Sequence, residues 1–148
     1  MFCYDGSEGS KAALAAAGEL VMHPADAVVL AVWTPIEVQL AKGGSLLAAV
    51  PDEGKLDEEE IAAAQHLADE GAAGARKHGY NASARVAQAN ESVARTIGDV
   101  ALEIDARLIV CGQRGRGAIA SAILGSVSHQ LSAHAKRPVL IAPQHPAA

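Results

Sequence analysis

The 148-residue chain is short of positive charge: 12 lysines and arginines stand against 17 aspartates and glutamates, for a net charge of −5. General affinity for nucleic acid or for an anionic membrane needs a basic surface, so neither partner is expected. No apolar stretch is long enough to cross a bilayer, and no signal sequence is expected before the first apolar run. The two cysteines, Cys3 and Cys111, form no Cys-x-x-Cys pair. That spacing excludes the usual zinc site, points to a reducing compartment, and leads us to expect no disulfide. The six histidines show no ligand spacing either. Internal repeats, low-complexity tracts and domain linkers are also missing, so one domain over residues 1–148 and a cytoplasmic location are expected.

What is present is a regular alternation of strand-like and helix-like segments. Phe2-Cys3-Tyr4 is a short apolar run, and Ser7 can cap a helix that carries Leu14, Ala17 and Val21 at helical spacing. Residues 27–33 are continuously apolar, as a strand buried on both faces should be. Residues 34–56, with Gly43-Gly44 and Pro51, read as a long connection. Asp57 with Glu60 resembles a capping box before a helix whose apolar face is Ile61, Ala64, Ala68 and Ala75. A weaker strand over 82–87 follows, then a helix over 92–105, a strand over 108–111, a last helix from Gly125-Ser126, and a strand over 139–142. Strands alternating with helices predict a doubly wound α/β domain: an open parallel sheet with helices on both faces.

The segment Gly112-Gln113-Arg114-Gly115-Arg116 through Gly125-Ser126 directly follows the strand over 108–111. It lacks the lysine of a Walker A loop, and Ala120 stands where a dinucleotide GxGxxG motif starting at Gly115 needs its third glycine. Gly112 and Gly115 leave the strand with no side chain to obstruct a ligand. Ser126 and Ser128 sit where a new helix presents free amides, a ready anion site, and Arg114 and Arg116 are near enough to reach a polyphosphate. Residue types alone leave a second reading open, in which the loop needs glycine anyway and Ser126 merely caps a helix.

The spacing Gly112-x2-Gly115-x9-Gly125-Ser126 resembles the ATP-binding signature of the universal stress protein family. "LIVCGQRGRG", "LGSVSHQL", "RPVLI" and, at the start, "YDGSEGSKAAL" are similar to that family over nearly the whole chain. The resemblance implies a five-stranded parallel sheet in the order 3-2-1-4-5, an adenine nucleotide alpha hydrolase-like, Rossmann-like fold. It also implies ATP with Mg2+ as ligand and a homodimer through residues 139–142. Carried over by position, Asp5 contacts the nucleotide, directly or through its magnesium ion, and Val32 holds adenine by its backbone. Cys111 lines the pocket, and Gly112, Gly115, Gly125, Ser126, Val127 and Ser128 surround ribose and phosphates. Asp5 can also close the turn before the first helix.

Three features depart from the family's pattern: the chain begins inside its first strand, Ala89-Asn90-Glu91-Ser92 lacks the usual glycine and proline, and Arg107 replaces an aspartate. The resulting expectation is a nucleotide-binding protein of stress response or signalling. Two alternatives stand beside it. One is a slow ATPase or a self-phosphorylating enzyme using Ser126 or Ser128, for which Asp5 is a poor water-positioning group. The other is a dimeric scaffold that holds AMP, cyclic AMP or nothing.

Overall fold

The apolar run expected to be a doubly covered strand is the longest strand of the sheet together with its outer neighbour. The computed structural model describes residues 1–20, 25–41, 53–116 and 124–144. Its elements are β1 (Phe2–Cys3), α1 (Glu8–Leu20), β2 (Ala25–Trp33), α2 (Ile36–Ala41), α3 (Glu53–Lys77), β3 (Tyr80–Gln88), α4 (Val93–Glu103), β4 (Ile109–Gly112), α5 (Ser126–His134) and β5 (Val139–Ala142). The strands form one parallel sheet in the order β3-β2-β1-β4-β5. Phe2 lies opposite both Val29 and Val110, so β1 is central, and Ile109 lies opposite Val139.

Period-two alternation sends neighbouring apolar residues into opposite layers. Val29 and Val110 join Leu14, Ala17, Ala72 and Ala75 under α1 and α3. Leu30, Ile109 and Cys111 join Ile97, Val100 and Leu131 under α4 and α5. Leu30 and Ile109 are essentially inaccessible, and burying each side chain contributes roughly 1.5–3 kcal/mol relative to leaving it in water. On α3 the buried face is Ala64, Ala68, Ala72 and Ala75, whose small side chains let the helix lie close to the sheet.

Several sequence expectations hold, and some need correction. Ser7 does cap α1: its Oγ accepts from the Ser10 amide at 3.2 Å. Ser92 caps α4 by accepting from the Arg95 amide. Asp57, however, opens no helix. It lies four residues inside α3, and its Oδ1 accepts instead from the Ile36 amide at 3.0 Å, the first residue of α2. Residues 34–56 therefore hold α2 and the start of α3, while Gly43, Gly44 and Pro51 lie outside the described residues. Ile61 is 42 % exposed, because burial on α3 begins one turn later at Ala64. The helix cap at the glycine segment is Gly125, with no side-chain hydrogen bond, and Ser126 is the first helical residue. Val21, His23, Gly117, Ala120 and His145 lie outside the described residues. Arg107 is exposed, in line with a surface substitution.

Candidate functional site

With β1 and β4 adjacent, the chain departs in opposite directions from their carboxyl ends, which is where open α/β sheets form a crevice. A cleft of about 360 Å³ lies there, within the size range of small-molecule sites. Asp5, Val32, Cys111, Gly112, Arg114, Gly115, Arg116, Gly125, Ser126, Val127 and Ser128, the residues singled out in the sequence, all line it. Cys3, Leu30, Val93 and Ile97 complete an apolar wall that the sequence did not single out. Residues 89–92 are absent from the described lining.

The wall is uncharged. Burial pushes the Cys111 thiol up to about 11. Burial first, and then the neighbouring Cys111, raises Cys3 further. Both cysteines are free. Tyr4 is likewise held protonated by burial and by its 2.7 Å hydrogen bond to Glu70 Oε1.

Val32 offers its backbone. The Leu30 carbonyl accepts from the Tyr4 amide at 2.9 Å and so faces β1, whereas the Trp33 carbonyl accepts from the Ala89 amide and faces β3. By the alternation of an extended strand, the Val32 N–H and C=O point the way Leu30 does. β1 ends at Cys3, so those two groups face the space beyond its last pairing.

The opposite end of the cleft is rich in donors. The first intrahelical bond of α5 runs from the His129 amide to the Gly125 carbonyl at 2.9 Å. The amides of Ser126, Val127 and Ser128 precede it and so have no carbonyl partner within the helix. Arg114 Nε is buried and has no hydrogen-bond partner among the described residues. Such an atom costs about 1–3 kcal/mol if it stays unsatisfied. Ser128 is 2 % exposed, and its hydroxyl faces the Gln113 carbonyl at 2.8 Å and the Gly125 carbonyl at 3.0 Å. Its single proton thus ties the glycine loop to α5 and is committed within the chain.

Asp5 joins the two loops. Its Oδ1 accepts from the Ser7 amide at 3.0 Å and the Ser7 hydroxyl at 2.6 Å, and its Oδ2 accepts from the Arg116 amide at 3.2 Å. Burial alone would raise its pKa. The hydrogen bonds from Ser7 and from the Arg116 amide outweigh that and hold it below the ordinary 3.8. Between the folded and ordinary values the unfolded chain binds more protons, so Asp5 adds stability in full above the ordinary value. That stability is lost as pH falls through the folded value. Urea midpoints taken from about pH 5 down to about pH 2 should therefore fall less steeply for Asp5→Asn than for the wild type.

The reason for the glycines differs from the one the sequence suggested. A Cβ on Gly112 would lie 2.4 Å from the Gly9 carbonyl carbon, and one on Gly115 would lie 2.6 Å from Asp5 Oδ2. Both positions are closed by the protein itself, before any ligand is considered. Gly6 (φ 77°) was missed: it turns the chain between β1 and α1, and Arg116 Nη2 would lie 3.2 Å from a Cβ there. Gly9 was also missed, although a glycine in the first turn of a helix is unfavourable unless something approaches closely, and that was a usable signal.

Among the described residues, no group of three His, Cys, Asp or Glu could hold a metal ion, and no helix is long and apolar enough to cross a membrane. Comparison with known proteins places this geometry in a context. The pattern of the universal stress protein family matches residues 1–143. Universal stress protein Rv1996 of Mycobacterium tuberculosis is 51 % identical over 39 residues, a match spanning 26 % of this chain and 12 % of that protein. The solved structure of hypothetical protein MJ0577 superposes with a TM-score of 0.77 at 17 % identity, over 99 % of this chain and 95 % of that one. A universal stress protein family protein from Arabidopsis thaliana with AMP bound superposes with a TM-score of 0.67 at 17 % identity, over 98 % and 90 %. At such identities these structures share the fold.

Proposed function

The chain belongs to the universal stress protein family, and from that premise we propose that it binds an adenine nucleotide, ATP with Mg2+, in the cleft between the β1 and β4 loops. The observation that carries this reading is that one cavity is lined both by the outward-facing backbone of Val32 and by the donors of Arg114 and the start of α5. The Val32 N–H and C=O present a donor beside an acceptor, which complements the adenine edge. The same cavity also holds the α5 amides, which have no partner within their helix, and the buried Arg114 Nε, which has no partner among the described residues. A phosphate chain supplies acceptors at a helix N-terminus. The AMP held by the Arabidopsis relative supports an adenine nucleotide, and two arginines beside the cleft favour a polyphosphate over a monophosphate.

Magnesium would arrive with the phosphates, as is usual for that ion. Asp5 Oδ1 already accepts two hydrogen bonds, while Oδ2 accepts one and keeps a lone pair for a water of the nucleotide-bound ion. The same nucleotide would act as a signal read by protein partners of a homodimer paired through β5. Self-phosphorylation on Ser128 is disfavoured by its burial and its committed proton.

Titration calorimetry tests the reading with one variant. Arg114→Ala removes a charge-assisted donor, an interaction worth roughly 1.5–3 kcal/mol. The affinity for ATP should fall about 10- to 100-fold, while that for adenosine, which has no phosphate, stays the same. A wild-type protein that binds no adenine nucleotide would refute the proposal.

A further inference from the structure

We propose that Asp5 is a positioning residue that clasps the glycine loop onto the first turn of α1, and that it governs the phosphate end of the cleft through that loop. The inference rests on the nucleotide reading above. Asp5 and Arg116 are 111 residues apart in sequence, and Oδ2 of the first accepts from the backbone amide of the second. Three further close approaches pack the end of β4 and its loop against the β1–α1 turn and the start of α1. The Arg114 carbonyl would lie 2.1 Å from a Cβ on Gly9, Gly112 lies over the Gly9 backbone, and the Arg116 guanidinium lies over Gly6. Oδ1 is meanwhile fixed by both donors of Ser7, so the carboxylate cannot rotate without losing bonds on the α1 side. The clasp is thus rigid on one side and grips the loop on the other.

The carboxylate chemistry matters at both oxygens, because each faces only donors. In Asp5→Asn the side-chain oxygen stays with the two Ser7 donors, since turning it away would lose both bonds, so the NH2 group faces the Arg116 amide and sets donor against donor there. In Gly115→Ala the carboxylate is unchanged, but a methyl carbon 2.6 Å from Oδ2 must displace it from the Arg116 amide. Two chemically unrelated substitutions should therefore release the same loop.

Amide hydrogen exchange of the ligand-free protein reads the clasp directly. Arg116 should exchange about tenfold faster or more in both variants than in the wild type. Affinity for ATP should fall about tenfold or more in both, while affinity for adenosine stays within about twofold, since the adenine end at Val32 is untouched. A general loss of folding would lower both affinities together. Unchanged exchange at Arg116 in either variant overturns the proposal, and so does an equal loss of ATP and adenosine binding in Asp5→Asn. A wild type that binds neither compound overturns the nucleotide reading instead, because the exchange measurement needs no ligand.

Discussion

Gly112→Val should destabilise the protein by at least the roughly 1–3 kcal/mol that overpacking a core costs, and more if the backbone cannot yield. The added Cβ would lie 2.4 Å from the Gly9 carbonyl carbon, 2.5 Å from its oxygen and 2.9 Å from its Cα. None of these is the end of a flexible side chain. Relief requires α1 to lift from β4, and Ala13, Leu14 and Ala17 would leave the core with it. The valine side chain adds two methyl groups to the same crowded place, so Gly112→Ala should cost less but still a measurable amount. Gly98 in α4 provides the contrast, because a Cβ there meets nothing within 4 Å among the described residues. Gly98→Ala should stabilise by about 0.5–1 kcal/mol through helix propensity and unfolded-state entropy. Urea unfolding of the three variants gives the order directly, and a Gly112→Val protein as stable as wild type would contradict the observed contact of α1 with β4.

Ile141→Pro is expected to leave only monomer where the proposed β5 homodimer would form, whereas Ile141→Ala should keep that dimer. β5 is an edge strand, hydrogen-bonded within the chain to β4. The Ile109 amide donates to the Pro138 carbonyl and the Gln113 amide to the Ala142 carbonyl, so the even-numbered residues of β5 face β4. The N–H and C=O of Val139 and Ile141 consequently point outward. Exposed edge groups on an apolar strand invite pairing. A two-fold axis would set two such strands antiparallel, each offering residues 139 and 141 to the other. Proline at 141 removes an outward donor and spares the bonds to β4, a placement edge strands accept. Proline at Leu140, the centre of the strand, would cut the internal ladder instead. Ile141 packs against the core beneath α4 and α5, so the alanine variant controls for the lost packing while keeping the amide. Sedimentation at micromolar concentration distinguishes the outcomes. A monomeric wild type, or an Ile141→Pro dimer as tight as wild type, would exclude this interface.

How much of this was legible beforehand depended on the distance over which each residue acts. β2 could be read because Val28, Val29, Leu30 and Ala31 carry their own reason: a strand covered on both faces is apolar throughout. Ser7 and Ser92 could be read because a cap acts within three residues. The strand order came with the family resemblance, since local pattern does not say which strand lies at the centre. The site was legible as a set of residues but less so as a set of causes. Gly112 and Gly115 looked like room for a ligand, yet they answer to Gly9 and Asp5, more than a hundred positions away. Asp57 shows the same limit in smaller form. With Glu60 three residues on it has the appearance of a cap, but its acceptor serves Ile36, 21 residues earlier. Local chemistry identifies a carboxylate that will accept a hydrogen bond; only the fold chooses the donor.

The early end of β1 has a further consequence. β2 continues for three residues past Leu30, its last partner in β1, and leaves the central position of the sheet vacant beside Val32. A flat heterocycle with one donor and one acceptor on its edge could occupy that vacancy as the next rung of the ladder. Recognition of this kind resides in main-chain atoms that every amino acid except proline possesses. Changes at residue 32 would then alter the fit around the base while leaving intact the hydrogen-bond pattern that reads it. A lineage could vary its pocket walls widely and still retain the same letter of the nucleotide alphabet.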